Sequence, residues 1–387
     1  MKILMLNAGS YKSGLNLRAL ALIPHLKRAG HDITLICPSA DKYNNFTPEK
    51  GAQIDNAKLV QPWQPRSRSM LVNLLPYMFT SLVAMFRARP DAIYLFKPTP
   101  ITIMGLLPRL LFRTTVVIDL DDFGSAVMRR ENQPKWLCDI VEWCEDLTIR
   151  YCDAAVVVSR YLEQRIKARY PGKRVVVVPN GVAPDLYPVP KDQTLRHNIY
   201  YFGAMQRLNL VDGLLRAMPG VLRAVPDAKL TLVGYGDAIP DGQKLAKKLG
   251  VERAVTFTGK TDFLGIIKYT QFGDIGVCYQ PDVETVRAAS NMKVFQYMAM
   301  STVAVVSDVG DLADYVQHGK LGAVVPPDDV PALEKTLIDL LHDDKRRARI
   351  AKAGRKLAET TYSWQTRVAV INDVFTDLVP GAKGARR

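Results

Sequence analysis

The chain has 387 residues, 48% of them hydrophobic and 23% charged, which is enough apolar material for two cores and too ordinary a mixture for a fibrous or disordered class. Its five cysteines, at positions 37, 138, 144, 152 and 278, are odd in number and contain no Cys-x-x-Cys pair, which argues against a disulfide framework or a zinc site and for a reducing, cytosolic compartment. The formal net charge of +14 asks for an anionic partner, and more than half of it lies in residues 1–90, with 12 Lys or Arg against 4 Asp or Glu.

From Met1 the chain enters a short apolar run, too short for a signal peptide, that reads as a first strand over Lys2 to Asn7. A glycine loop from Gly9 to Gly14 follows, then apolar residues at helical spacing from Leu15 to Ala29 and a second strand over Ile33 to Cys37. Strand, glycine turn, helix and strand make a βαβ unit, whose crossover requires parallel strands. The Gly9-Ser10 turn would bring backbone N–H groups to the ligand edge of such a sheet, or serve as a plain βα turn.

Met70 to Phe86 (MLVNLLPYMFTSLVAMF) is uncharged, framed by Arg66 and Arg68 before and Arg87 and Arg89 after, and a second apolar segment, Ile101 to Phe112, is broken by Pro108 and Arg109. Asn73, Pro76 and Ser81 make the first segment a poor spanning helix; it suits one lying in a membrane surface, or a buried helix of the first domain. An anionic membrane therefore suits the basic excess better than nucleic acid does.

Further strands are expected at Ala92–Phe96, Thr115–Ile118 and Ala154–Val158, with helices between them, which gives a doubly wound α/β domain. The strand over Thr115–Ile118 runs into Asp119-Leu120-Asp121-Asp122, placing carboxylates at the edge where open α/β sheets bind ligands. Paired carboxylates suggest metal or acid–base work; period-2 alternation would put Asp119 and Asp121 on one side and Asp122 on the other, so a common metal is not assured, and Asp121 or Asp122 could instead cap the next helix. After Val175 to Val182 and a turn-rich link from Pro179 to Pro190, a second series of strands follows at Ile199–Phe202, Lys229–Val233, Val255–Phe257, Ile275–Cys278 and Val303–Val306. It too reads as a Rossmann-like sheet. The basic cluster Lys345 to Arg349 lies on a helical pattern and reads as a solvated face.

The segment Ser290-Asn291-Met292-Lys293-Val294-Phe295-Gln296-Tyr297-Met298-Ala299 carries the sharpest signal. Ser290 or Asn291 would cap a short helix whose first turns present Lys293 and Gln296 on one face. Free N–H groups, the positive end of the helix dipole and an ammonium would then converge on one phosphate-sized position.

With the Gly-loop, Gly30-His31, Val157-Val158-Ser159, Val178-Pro179-Asn180-Gly181-Val182, Leu232-Val233-Gly234-Tyr235-Gly236, Phe257-Thr258-Gly259 and Lys293-x-x-Gln296-Tyr297-Met298-Ala299 in order, the chain resembles the retaining family 4 glycosyltransferases of GT-B fold over nearly all its length. The resemblance implies an α/β protein of two Rossmann-like domains facing across a cleft. Residues 1–182 would bind the acceptor and 183–364 the nucleotide sugar, and 365–387 would form a crossover helix and basic tail packing on the N-domain; Tyr362-Ser363-Trp364 would mark the crossing. It implies a nucleotide-sugar co-substrate, no cofactor, no metal in the site, and a glycan or lipid-linked acceptor met in the cytoplasm or on the inner face of the membrane.

By the same resemblance, Asp121, Asp122, Lys293 and Arg207 would be the catalytic set. Gly9, Ser10, Gly203, Gly234, Gly259, Lys260, Arg287, Ser290, Asn291, Met292, Lys293 and Gln296 would bind the donor. Two departures stand out. The family's pair of glutamates is replaced by Ala288 and Gln296, with Glu284 close by and Arg287 fitting a variant that carries Gln at the second place. Near Ala204 and Asn209, where the family has Arg and Lys, Arg207 is the nearby cation. A catalytically silent homologue supporting an active partner is accordingly an alternative reading, as is a nucleotide-sugar epimerase or phosphorylase of the same fold, although no lysine site for pyridoxal phosphate is evident.

Overall fold

A computed structural model of the protein describes residues 1–7, 17–37, 57–60, 70–188, 197–205, 211–270 and 274–379. Along the first half run strands β1 (Lys2–Asn7), β2 (Asp32–Ile36), β3 (Lys58–Val60), β4 (Ala92–Phe96), β5 (Thr115–Leu120), β6 (Ala154–Val157) and β7 (Val175–Val177). Interleaved with them are helices α1 (Leu17–Arg28), α2 (Met70–Ala88), α3 (Leu107–Phe112), α4 (Gly124–Arg130), α5 (Lys135–Tyr151) and α6 (Arg160–Arg169). The second half holds β8 (Asn198–Phe202), β9 (Lys229–Val233), β10 (Val255–Gly259), β11 (Ile275–Cys278), β12 (Val303–Ser307) and β13 (Ala323–Val325). Its helices are α7 (Val211–Ala224), α8 (Ile239–Lys248), α9 (Phe263–Thr270), α10 (Glu284–Ala288), α11 (Met292–Ala299), α12 (Leu312–Tyr315), α13 (Val330–Leu341) and α14 (Asp344–Glu359), and α15 (Trp364–Leu378) follows.

Two units result: Met1–Pro179 together with Trp364–Arg387, and Asn180–Ser363. The first contains a seven-stranded sheet in the order β3-β2-β1-β4-β5-β6-β7, the second a six-stranded sheet in the order β10-β9-β8-β11-β12-β13. Every strand pairing among the described residues is parallel. In both sheets the strand order reverses beside the first strand of the unit, next to β1 and next to β8, which makes each a doubly wound Rossmann-like layer. Parallel strands covered by helices on both faces must be apolar throughout. β8 shows this: Ile199 and Tyr201 enter one core with Leu230, Val277 and Val305, while Tyr200 and Phe202 enter the other with Val294, Tyr297 and Val306.

The last helix returns to the first unit. Trp364, Val368, Ile371, Val374 and Phe375 are its buried face, spaced to form one helical stripe, and the Phe375 ring meets Tyr94 edge-on at 5.2 Å. His31 and the Asn372 amide oxygen lie 2.6 Å apart.

At the middle of this unit Arg18 is buried, and its Nε donates to Asp119 Oδ1 at 2.8 Å. The other Asp119 oxygen accepts from Tyr94. The remaining guanidinium N–H groups reach the carbonyls of Val178 at 2.9 Å and Pro179 at 3.4 Å, where the chain leaves the unit. The guanidinium also lies 5.9 Å from the centre of the Trp364 ring, where the chain comes back.

Removing one partner of a buried ion pair leaves an uncompensated charge, which typically costs about 3–5 kcal/mol, whereas replacing both by apolar groups is often near neutral. We expect Asp119→Ala to lower the free energy of urea unfolding of the first unit by an amount in that range, and Arg18→Met with Asp119→Leu to recover more than half of the loss. If the double variant is no better than the single one, the charge pair is not what the loss reports.

Candidate functional site

In the second unit the glycine turns after β8 and β9 let two backbones and one side chain meet. Gly203 has φ of +129°, and a Cβ there would lie 2.7 Å from Lys293 Cε. Gly234 has φ of +142°, and a Cβ there would lie 2.0 Å from the Gly203 carbonyl oxygen. Both positions therefore need glycine, for the φ and for the close approach.

Across this floor lies Lys293, one residue into α11. Its Nζ donates to the Tyr201 hydroxyl at 3.0 Å and sits 4.4 Å from the centre of the same ring, and that hydroxyl donates onward to the Ala204 carbonyl. Burial works against the ammonium, but its neighbours Tyr201 and Cys278 and the hydrogen bond outweigh it and hold the pKa above the usual lysine value. Among the described residues no carboxylate lies within ion-pair distance of Lys293. A half-buried cation with that environment is suited to an anionic ligand.

The start of α11 differs from the capping expected of Ser290 or Asn291. Asn291 is the N-cap and Met292 the first helical residue, but no side chain caps the helix. Ser290 is occupied elsewhere: its Oγ accepts from the Asn180 N–H at 3.0 Å and from the Tyr315 hydroxyl at 3.1 Å, and its carbonyl accepts from Asn180 Nδ2 at 2.8 Å. The first N–H groups of the helix are thus left without a side-chain acceptor, beside Lys293. Gln296, one turn on, donates through Nε2 to the Tyr187 hydroxyl at 2.7 Å.

Other expected donor residues fall nearby or apart. Lys260 follows Gly259 and lies 5.5 Å from the centre of the exposed Tyr235 ring, next to Gly234. The Arg287 fork is spent on Asp282, with Nε and Nη2 at 2.5 and 2.7 Å from its two oxygens, and that bond holds the Asp282 carboxyl below the usual range. Gly9, Ser10 and Arg207 lie outside the described residues.

In the first unit β5 continues to Leu120, so Asp119 points into the core with Arg18 while Asp121 and Asp122 stand beyond the strand end. The strand alternation stops there, and both carboxylates share one partner that the sequence reading missed. Lys97, directly after β4, has Nζ 3.2 Å from Asp121 Oδ1 and 3.3 Å from Asp122 Oδ2. A second missed residue is Glu145 on α5. Buried, it accepts from the Ser125 N–H at 3.1 Å and the Ser125 hydroxyl at 2.6 Å, at the first turn of α4, which starts two residues after Asp122. Among the described residues no group of three or more His, Cys, Asp or Glu could hold a metal ion.

Three helices of this unit expose large apolar side chains. On α2, Leu75, Phe79 and Phe86 are exposed while Ser81 and Met85 are buried; on α3, Leu110, Leu111 and Phe112 are exposed, Leu110 at 68%. Phe86 and Phe112 pack edge-on at 5.7 Å. α5 adds exposed Trp136, Ile140 and Trp143 at helical spacing. No helix among the described residues is long and apolar enough to cross a membrane. Arg66 and Arg68 lie outside the described residues.

Two family models match, "Glycosyl transferase 4-like domain" over residues 13–181 and "Glycosyl transferases group 1" over residues 196–343. Among curated proteins the chain is similar to the GDP-mannose-dependent alpha-(1-6)-phosphatidylinositol monomannoside mannosyltransferase of Mycolicibacterium smegmatis, at 28% identity over 61% of this chain and 64% of that one. It is also similar to a glycogen synthase of Mycobacterium tuberculosis, at 24% identity over 60% and 56%. The matched stretch thus spans less than two thirds of either relative. Among solved structures, sucrose-phosphate synthase of Thermosynechococcus elongatus superimposes with TM-score 0.74 and 17% identity over 98% of this chain and 99% of that one. HepE of Anabaena, in complex with UDP, gives 0.74 and 16% over 97% and 100%. At such identities the structural likeness speaks for the fold: the two parallel sheets described above are those of the GT-B class.

The geometry around Glu145 has a pH signature. Burial first, then the nearby charge of Asp122, push its carboxyl from 4.5 up to about 7 against the hydrogen bonds from Ser125. A carboxyl that binds its proton more tightly in the fold contributes stability that is complete below the unfolded value and is lost as pH rises through the folded one. Between pH 4.5 and 7 the loss is on the order of 2–3 kcal/mol at most. Urea unfolding of the first unit at pH 5, 6, 7 and 8 should show that decline in the wild type and a flatter profile for Glu145→Gln, whose amide keeps both Ser125 contacts. Identical slopes would remove Glu145 as their source.

Proposed function

The chain belongs to the family 4 glycosyltransferases of GT-B fold, and from that membership we propose a retaining, metal-independent enzyme that moves a sugar from a nucleotide-sugar donor to a glycan or lipid-linked acceptor. The observation that carries the reading is Lys293: a half-buried ammonium laid over Gly203 at the start of an uncapped helix, without a carboxylate partner among the described residues.

Transfer breaks the bond between the anomeric carbon and the diphosphate oxygen, and the departing nucleoside diphosphate keeps the electron pair. Negative charge therefore grows on the phosphates, and preorganised donors aimed there lower the barrier. Lys293 and the first N–H groups of α11 would take that role, with the Gly203 and Gly234 turns admitting the phosphates close to the backbone. Arg207 would be a second cation. Gln296, with Nε2 engaged by Tyr187, would offer its amide oxygen to a ribose hydroxyl, and Gly259 and Lys260 would lie toward the nucleoside. The second unit is thus the donor-binding half. In the first unit, Asp121 and Asp122 would accept hydroxyl groups of the transferred sugar or the acceptor, with the Gly9-Ser10 turn contributing N–H groups.

A lipid-linked acceptor is supported by two things: the similarity to a mannosyltransferase whose name specifies a phosphatidylinositol substrate, and the large apolar side chains exposed on α2, α3 and α5, with Arg87, Arg89 and Arg113 at the ends of α2 and α3. Aromatic side chains favour the lipid–water boundary, and arginines favour anionic headgroups. We read the protein as working at the cytoplasmic face of a membrane without spanning it.

Two measurements test this. With a panel of nucleotide sugars and nucleoside diphosphate release as the readout, Lys293→Ala should cost about 10²–10³ in rate with the fold intact, and Gln296→Glu should remain active because the Tyr187 phenol can donate to a carboxylate. Near-native turnover by the alanine variant would remove Lys293 from the site. In sedimentation with phosphatidylglycerol vesicles the protein should bind at low salt and be released by high salt. Arg87→Gln with Arg89→Gln should weaken that binding by about 1 kcal/mol for each arginine lost. Binding indifferent to salt and lipid charge would leave the exposed apolar side chains without a membrane role.

A further inference from the structure

Two carboxylates side by side at the end of a strand repel each other and need a counter-charge. Burial and the neighbouring Asp121 both push the Asp122 carboxyl above the usual carboxylate range, with Lys97 opposing. A divalent cation is one common solution for such a pair, held by carboxylate oxygens. Here the chain supplies a cation of its own.

The placement of Lys97 is specific rather than incidental. An exposed lysine at a strand end ordinarily extends its ammonium into water. Lys97 instead has φ of +53°, in the left-handed region that costs free energy for any residue with a Cβ, and it directly precedes Pro98. That conformation is held from both sides. The Lys97 N–H donates to the Asp119 carbonyl at 3.3 Å, and the Lys97 carbonyl accepts from Thr102 Oγ1 at 2.8 Å, a hydroxyl that also takes the Thr99 N–H at 2.9 Å. The ammonium reaches one oxygen of each acid, hydrogen-bonding Asp122 Oδ2 and pairing with Asp121 Oδ1. Burial alone would lower its pKa, but the two carboxylates outweigh that and raise it above the usual lysine value.

We propose that Lys97 is a positioning residue: a built-in counter-cation that holds Asp121 Oδ1 and Asp122 Oδ2, turns the other two oxygens toward substrate hydroxyls, and fills the place a divalent ion would take between the acids. The proposal rests on the reading of Asp121 and Asp122 as sugar-facing groups and adds what fixes them. The trio carries one net negative charge, so it favours neutral hydroxyl donors and disfavours phosphate, unlike the Lys293 region. Because the ammonium is covalently tethered, the pair keeps its geometry whatever metal the solution holds.

The test uses the full chain and Mn²⁺ alone, with free Mn²⁺ followed by its electron paramagnetic resonance signal at pH 7.5. Wild type should show no Mn²⁺ site that depends on the two acids. Lys97→Ala should create one, binding at least about ten-fold more tightly than any wild-type site, since a unit positive charge removed from about 3–4 Å is a large term even at an effective dielectric near 20. Adding Asp121→Asn and Asp122→Asn should abolish the gain, and Lys97→Arg should behave as wild type; a merely structural role would produce neither result. Lys97→Gln, which keeps a donor without the charge, replaces the alanine variant if that one does not fold. Equal Mn²⁺ binding by wild type and Lys97→Ala, or a gain that survives loss of both aspartates, overturns the proposal. Since no sugar or nucleotide enters the assay, its failure is separate from a failure of the transferase reading, which Lys293→Ala decides.

Discussion

A guanidinium buried in the first unit organises much of what surrounds it. Arg18 needs several acceptors to make burial tolerable, and it finds them in Asp119 and in the carbonyls of Val178 and Pro179, with the Trp364 ring alongside. Each partner is on a different part of the chain: a central strand, the segment by which the chain leaves the unit, and the helix by which it returns. One residue therefore fixes, within a single unit, both places where the backbone passes to the other. Asp119 is held at the same time by Tyr94, whose ring touches Phe375 of α15. The two acids that follow, Asp121 and Asp122, inherit their position from a strand anchored in this way.

The two units use lysine in opposite senses. Lys97 is saturated by carboxylates of its own unit, and its charge is consumed locally. Among the described residues Lys293 is supported by a phenol, a thiol and a ring face and by no carboxylate, which suits its charge to an outside anion. The contrast follows from burial and partner choice, since the side chains are chemically the same. Under the function proposed above, that contrast would divide recognition by chemical type, hydroxyls for the first unit and phosphates for the second.

Much of the fold was legible in the residues because a parallel sheet covered on both faces must be apolar along its whole length. Runs such as Ala92–Phe96, Lys229–Val233 and Ile275–Cys278 appear as strands with the same ends. The short edge strands Lys58–Val60 and Ala323–Val325 were not expected, because three residues carry too little pattern. The site was less legible. Lys293 was found because a helix start, a lysine and a following strand are local in sequence. The contacts that define it, with Gly203 and Tyr201, span some ninety positions. Ser290 has the chemistry of a cap, yet Asn180, 110 residues away, takes its hydroxyl first. Lys97 sits in Phe96-Lys97-Pro98-Thr99-Pro100, a stretch that reads as a loop. Its one signal was a lone cation at the end of an apolar strand adjacent to the strand bearing the aspartates.

The return of α15 to the first unit also sets an order of events during synthesis. Trp364, Val368, Ile371, Val374 and Phe375 belong to the core of a unit whose strands all precede Asn180, so that core stays incomplete while the ribosome makes the whole of the second unit. During this interval Tyr94 lacks the Phe375 ring against it, and Arg18 lacks the indole of Trp364. The second unit has all its strands between Asn180 and Ser363 and faces no such wait. The nascent chain thus carries a half-closed first unit past a second one that is free to finish, and apolar surface meant for α15 is the part a chaperone would meet.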